Sequence, residues 1–102
     1  MLCIGGNHDM DKRIGTVGIV IHEPKAIADK VNGIIGNYSH LIIGRMGIPK
    51  HEENVGIIAL IVEGSTDDIG ALTGKLGNLP GVIVKSALTA KQIANKGELS
   101  ND

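Results

Sequence analysis

From Asn54 to Val62 the chain reads Asn-Val-Gly-Ile-Ile-Ala-Leu-Ile-Val, apolar at almost every position after Asn54. Successive side chains of a β-strand point to opposite faces of the sheet. A strand covered on one face therefore alternates apolar and polar residues, and a run without alternation needs cover on both faces. Residues 13–22 (Arg-Ile-Gly-Thr-Val-Gly-Ile-Val-Ile-His) form a second β-branched run of nearly continuous apolar character. With 102 residues, no Phe, no Trp and Tyr38 as the single aromatic residue, the core must be built from Ile, Val, Leu and Ala.

Helical spacing appears twice. Pro24 is suited to a first helical position, where its missing N–H is not needed, and Ile27, Val31, Ile34, Ile35 and Tyr38 form one stripe over 24–38. Ser65 or Thr66 can cap a second helix over 67–79, with Asp67 and Asp68 at the positive end of its dipole. Ile69, Leu72, Leu76 and Leu79 make its stripe. Gly70, Gly74 and Gly77 each weaken a helix by roughly 1 kcal/mol relative to Ala, and close backbone packing is the expected compensation. Strands are expected over 40–48, 55–63 and 82–88, the first two joined as an antiparallel hairpin through the polar 49–54 connection.

The order strand, helix, strand, strand, helix, strand is the split βαβ, ferredoxin-like pattern. It makes an α+β domain over 13–89, a four-stranded antiparallel sheet with both helices on one face. The two continuous runs become the central strands. Residues 1–12 read as a flexible arm and 90–102 as a polar tail. The uncovered sheet face predicts a homo-oligomer, dimer or tetramer, paired through that face or through strand edges.

Composition narrows the function. Ten basic and eleven acidic side chains leave a net charge of −1. Without a basic patch or aromatics to stack bases, direct nucleic-acid binding by this chain is not expected. A lone Cys3 excludes an internal disulfide and fits a reducing, cytoplasmic setting. Neither a signal peptide nor a membrane span is expected.

No residue pattern points to catalysis, and no cofactor is expected. The polar stretch Lys50, His51, Glu52, Glu53 reads as a solvated loop, and the Gly70–Lys75 stretch lacks the spacing of a phosphate loop. Two places suit binding. His22, Glu23 and Lys25 lead into the first helix, where backbone amides receive anions. Gly44, Arg45, Met46 and Gly47 place an Arg inside an apolar strand, where it must reach water, a carboxylate or an anionic ligand. The bland readings are a plain Pro-initiated helix and an Arg guarding an edge strand against aggregation. His22 and His51 should sit at one end of the sheet and His40 at the other. A metal ion held by His22 and His51 would then be intersubunit, since no pair has the close spacing of metal-ligating histidines.

Two stretches resemble a known family: Arg45-Met-Gly-Ile-Pro49, followed by Glu53, Asn54 and the long apolar strand, and Asp68-Ile-Gly-Ala-Leu-Thr-Gly-Lys-Leu-Gly77, followed by Pro80, Gly81 and Val82. They are similar to the small proteins labelled as regulators of an iron-only hydrogenase system. That resemblance covers about three quarters of the chain. It implies an ACT-like ferredoxin-like domain, similar to the C-terminal regulatory domain of the nickel-responsive repressor. It also implies a non-catalytic regulator acting through oligomer assembly and a small-molecule effector. Any effect on transcription would run through another, DNA-binding chain. The nickel-responsive domain has a His-x-His in its second strand where this chain has about Gly44 and Met46, and its Cys ligand has no counterpart near Gly56. A metal-binding accessory protein of hydrogenase maturation or metal homeostasis is the alternative function.

Overall fold

A computed structural model describes residues 12–89. The elements are β1 (Lys12–His22), α1 (Pro24–Asn37), a 3-10 turn (Ser39–Leu41), β2 (Ile42–Lys50), a second 3-10 turn (His51–Glu53), β3 (Val55–Ser65), α2 (Thr66–Gly77) and β4 (Val82–Leu88). All strand pairs are antiparallel, in the order β2-β3-β1-β4. This is the ferredoxin-like, ACT-like arrangement, with the two most apolar runs in the middle. β1 begins at Lys12, so the strand takes in the last residue assigned to the arm. Residues 1–11 and 90–102, the rest of the arm and the tail, lie outside the described residues.

One face of the sheet carries both helices. Val17, Ile19 and Ile21 of β1 and Ile58, Leu60 and Val62 of β3 form a single buried cluster with Ile27, Val31 and Ile35 of α1 and Ile69, Leu72 and Leu76 of α2. These are every second residue of the strands and one stripe of each helix, so the two periodicities meet on one plane. Each fully buried Leu or Ile contributes about 1.5–3 kcal/mol of transfer free energy.

Several boundaries differ from expectation. β2 starts at Ile42 rather than at residue 40, because Leu41 N–H bonds to Tyr38 C=O (2.9 Å) in a 3-10 turn that tucks Leu41 into the core. β2 also continues through Pro49 and Lys50, which the sequence assigns to the connection. Pro is tolerated there because β2 is an edge strand. α2 starts at Thr66 and stops at Gly77, two residues short, with Leu79 packed beyond its end. Ser65 is the cap: its hydroxyl accepts from Asp68 N–H at 3.1 Å.

The glycines of α2 are a correction. A Cβ at Gly70, Gly74 or Gly77 would meet nothing within 4 Å, so no close packing offsets their helix cost. They face solvent because the buried stripe of α2 uses Ile69, Leu72 and Leu76.

Candidate functional site

α1 lies alongside the edge strand β2, and the side chains between them are small. On the helix-facing side of β2 the alternating positions are Arg45, Gly47 and Pro49, paired with Leu60, Ile58 and Gly56 of β3. Gly47 leaves a gap between Arg45 and Pro49, and Gly56 leaves one beneath it. Opposite them, α1 presents Lys25, Ala28, Val31 and Asn32, the one-face spacing of a helix. A groove results. One end, of about 410 Å³, is lined by Pro24, Lys25, Ala28, Pro49, Lys50 and His51. The other, of about 220 Å³, runs past Ala28, Val31 and Gly47 to Asn32 and Arg45. Pro24, Ala28 and Pro49 line both, so the two adjoin along α1.

The groove is electropositive. Lys25, Arg45, Lys50 and His51 line it, and no Asp or Glu does. Among the described residues none of these four has an ion-pair partner. Arg45 donates instead to the neutral side-chain oxygen of Asn32, at 2.8 Å across the groove. β2 is an edge strand, as the plainer reading of Arg45 has it, and the partner of Arg45 is a neutral amide in place of the water, carboxylate or anionic ligand expected.

At the other end of the groove the chain is held in an uncommon conformation. Glu23 and Asn54 are the two non-glycine residues with positive φ among those described (53° and 57°). They lie side by side, Glu23 N–H donating to Asn54 C=O at 2.9 Å. Asn tolerates this region; for Glu it costs on the order of 1–2 kcal/mol. The pair fixes the entry to α1 against the β2–β3 connection. Glu23, the N-cap of α1, makes no side-chain capping bond, and the first turn holds no acidic residue.

The second feature is the sheet face away from the helices. Register places Ile48, Ile57, Val20 and Ile83 in one row across the four strands, Met46, Ala59, Gly18 and Lys85 in the next, and Gly44, Ile61, Thr16 and Ala87 in the third. Met46 (62%), Ile48 (49%), Ile57 (41%), Ile61 (47%) and Ile83 (49%) are exposed there. The small Gly18 and Ala59 make a shallow trough between the Ile48–Ile57–Ile83 row and Ile61.

The residues singled out by sequence divide between these features. Lys25, Arg45 and Gly47 line the groove. Gly44 and Met46 point to the opposite face, as the two-residue period of β2 requires. His22 and Glu23 are exposed at the β1–α1 junction. His22 pairs with Val55, which also pairs with Lys50, so His22 and His51 do share one end of the sheet. Among the described residues no three His, Cys, Asp or Glu side chains converge as a metal site would need. Sequence reasoning missed Lys50, Ala28 and Asn32. The available signal was the Lys25, Ala28, Asn32 spacing, which puts these residues on the side of α1 next to its buried stripe.

Residues 13–86 match the model of the TM1266-like family, described as "Iron-only hydrogenase system regulator, putative". The chain belongs to the TM1266-like family. The solved structure of the uncharacterized protein TM1266 from Thermotoga maritima is 40% identical, with a TM-score of 0.73 over 76% of this chain and 96% of that one. The ACT domain of GTP pyrophosphokinase from Chlorobium tepidum is similar at 18% identity, TM-score 0.60, covering 72% of this chain and 96% of that one. A Thermus thermophilus protein described as a putative PII-like signaling protein gives 16% identity and a TM-score of 0.56, covering 78% and 90%. The last two share the fold. No curated protein matches the chain. Among the described residues no helix is long and apolar enough to cross a membrane.

Proposed function

We propose that this TM1266-like chain is a non-catalytic regulatory module of an iron-only hydrogenase system, working through self-assembly that a small effector biases. The observation that carries the reading is the open sheet face. Isoleucines from three strands and Met46 lie exposed on one side of a sheet whose other side carries both helices. Contiguous apolar surface of this kind marks an interaction site. A second copy is the fitting occupant, because the Ile48–Ile57–Ile83 row on one side and Ile61 on the other flank a Gly18–Ala59 trough, which offers ridges and a groove on the same surface. A two-fold pairing needs such self-complementarity. The family description supports the regulatory role.

An effector acts here by differential affinity for the assembled and separate states, not by chemistry. The α1–β2 groove is the effector site in this reading, with Lys25, Arg45 and Gly47 on its walls. The test is light scattering on the full chain at micromolar concentration. A dimer or tetramer is expected, and the double variant Ile57→Lys, Ile61→Lys should be monomeric with its circular dichroism unchanged. A wild-type chain that is monomeric throughout overturns the reading.

A further inference from the structure

We infer that the α1–β2 groove takes a small dianion, two acidic groups joined by an apolar span. This rests on the regulatory reading above, in which the chain answers to a small effector, and names that effector's chemistry.

The cations are not clustered. Lys25 and Lys50 stand at one end of the groove, and Arg45 stands at the other. Between them the walls are Ala28, Val31, Gly47 and Pro49, over the floor of Ile21 and Gly56. From Lys25 to Asn32, the partner of Arg45, is seven residues of helix, about 10 Å along the axis. A ligand with one acid satisfies one end only. A ligand with two acids about that far apart satisfies both and lays its apolar middle along Ala28 and Gly47.

The far end is prepared for exchange. The Arg45 guanidinium rests on the neutral Asn32 amide, and a carboxylate or phosphate in the same place accepts the same hydrogen bond with charge assistance. A guanidinium also offers paired donors in a planar fork, which suits an oxyanion better than one amide oxygen. The near end adds the two ammonium groups, with no lining carboxylate to compete. The chain as a whole carries a net charge of −1, so this positive channel is a local arrangement and not a reflection of composition.

The experiment is calorimetric titration of the full chain with suberate, the eight-carbon dicarboxylate, and with octanoate, its one-headed counterpart. Suberate should bind about tenfold more tightly, the fold-change expected for one additional charged hydrogen-bonding contact. Its affinity should fall as salt is raised. Arg45→Gln should bring suberate down to the octanoate level and leave octanoate unchanged. Gly47→Val should abolish binding of both by filling the channel. A Cβ at Gly47 meets its nearest neighbours at 3.9 and 4.0 Å, so that variant should keep its fold and melting temperature. Ala28→Leu fills the same channel from the helix side and serves as the second blocking variant. Equal affinity for the two compounds, no binding of suberate, or suberate binding indifferent to Arg45→Gln and both blocking variants each overturns the inference. Light scattering on the same samples separates this from the regulatory reading. Assembly without suberate binding defeats the dianion and leaves regulation standing; suberate binding by a chain that stays monomeric does the reverse.

Discussion

Gly15 and Gly74 show how little a residue's type says without its surroundings. A Cβ at Gly15 would overlap the Ala87 carbonyl oxygen and lie 2.5 Å from Leu88 Cδ2, so β4 rests where that side chain would be. A Cβ at Gly74 would meet nothing within 4 Å on an exposed helix face. The same substitution should therefore act with opposite sign. Gly15→Ala should destabilise by about 1–3 kcal/mol, the cost of forcing atoms into filled space. Gly74→Ala should stabilise by about 0.5–1 kcal/mol through helix propensity. Urea unfolding of the two variants checks both. The sequence reading assigned close packing to the glycines of α2, and it could not have separated these cases. Which glycine faces a neighbour depends on strand pairing between residues 15 and 88, far apart in the chain. Arg45 was more legible: a charge within an apolar strand has to leave the core whatever the partner. Asn32 as that partner was not legible, because it follows from α1 lying against β2.

At the scale of elements, the strong signals were those that repeat. The helical stripes placed α1 and α2, the apolar runs placed β1 and β3, and β4 matches residue for residue. The ends were weaker. The Leu-Ile-Ile run at 41–43 reads as strand throughout, yet Leu41 belongs to a 3-10 turn and packs on Gly64, where a Cβ would lie 2.7 Å from Leu41 Cδ2. That contact crosses from the β2 entry to the end of β3, beyond any local pattern. The two helix starts also differ. α2 has a side-chain cap, Ser65, and two acids in its first turn, while α1 has neither and enters through Glu23 and Pro24. Ser65→Ala should cost about 1 kcal/mol in thermal or chemical unfolding. Glu23→Ala should cost no capping energy, since its side chain makes no cap bond. An equal loss in both would contradict the assignment of Ser65 as the cap.

For the whole molecule, the fold explains why β3 is apolar on both sides. Gly56, Ile58, Leu60 and Val62 face the helices, and Val55, Ile57, Ala59 and Ile61 face outward beside Val20, Ile48 and Ile83. The helices supply the first cover and nothing among the described residues supplies the second. The need for outer cover was legible in the sequence, because alternation is missing from the run itself. The groove was not, because it exists only where Gly47, Gly56 and Ala28 come together from three elements. The central claim, that a second copy covers this face, meets its most direct test in multi-angle light scattering of the wild-type chain and the Ile57→Lys, Ile61→Lys variant, from one to one hundred micromolar. A wild-type dimer or tetramer and a folded monomeric variant are predicted. A wild-type chain that elutes as a monomer across the range, or a double variant that assembles as the wild type does, contradicts the claim.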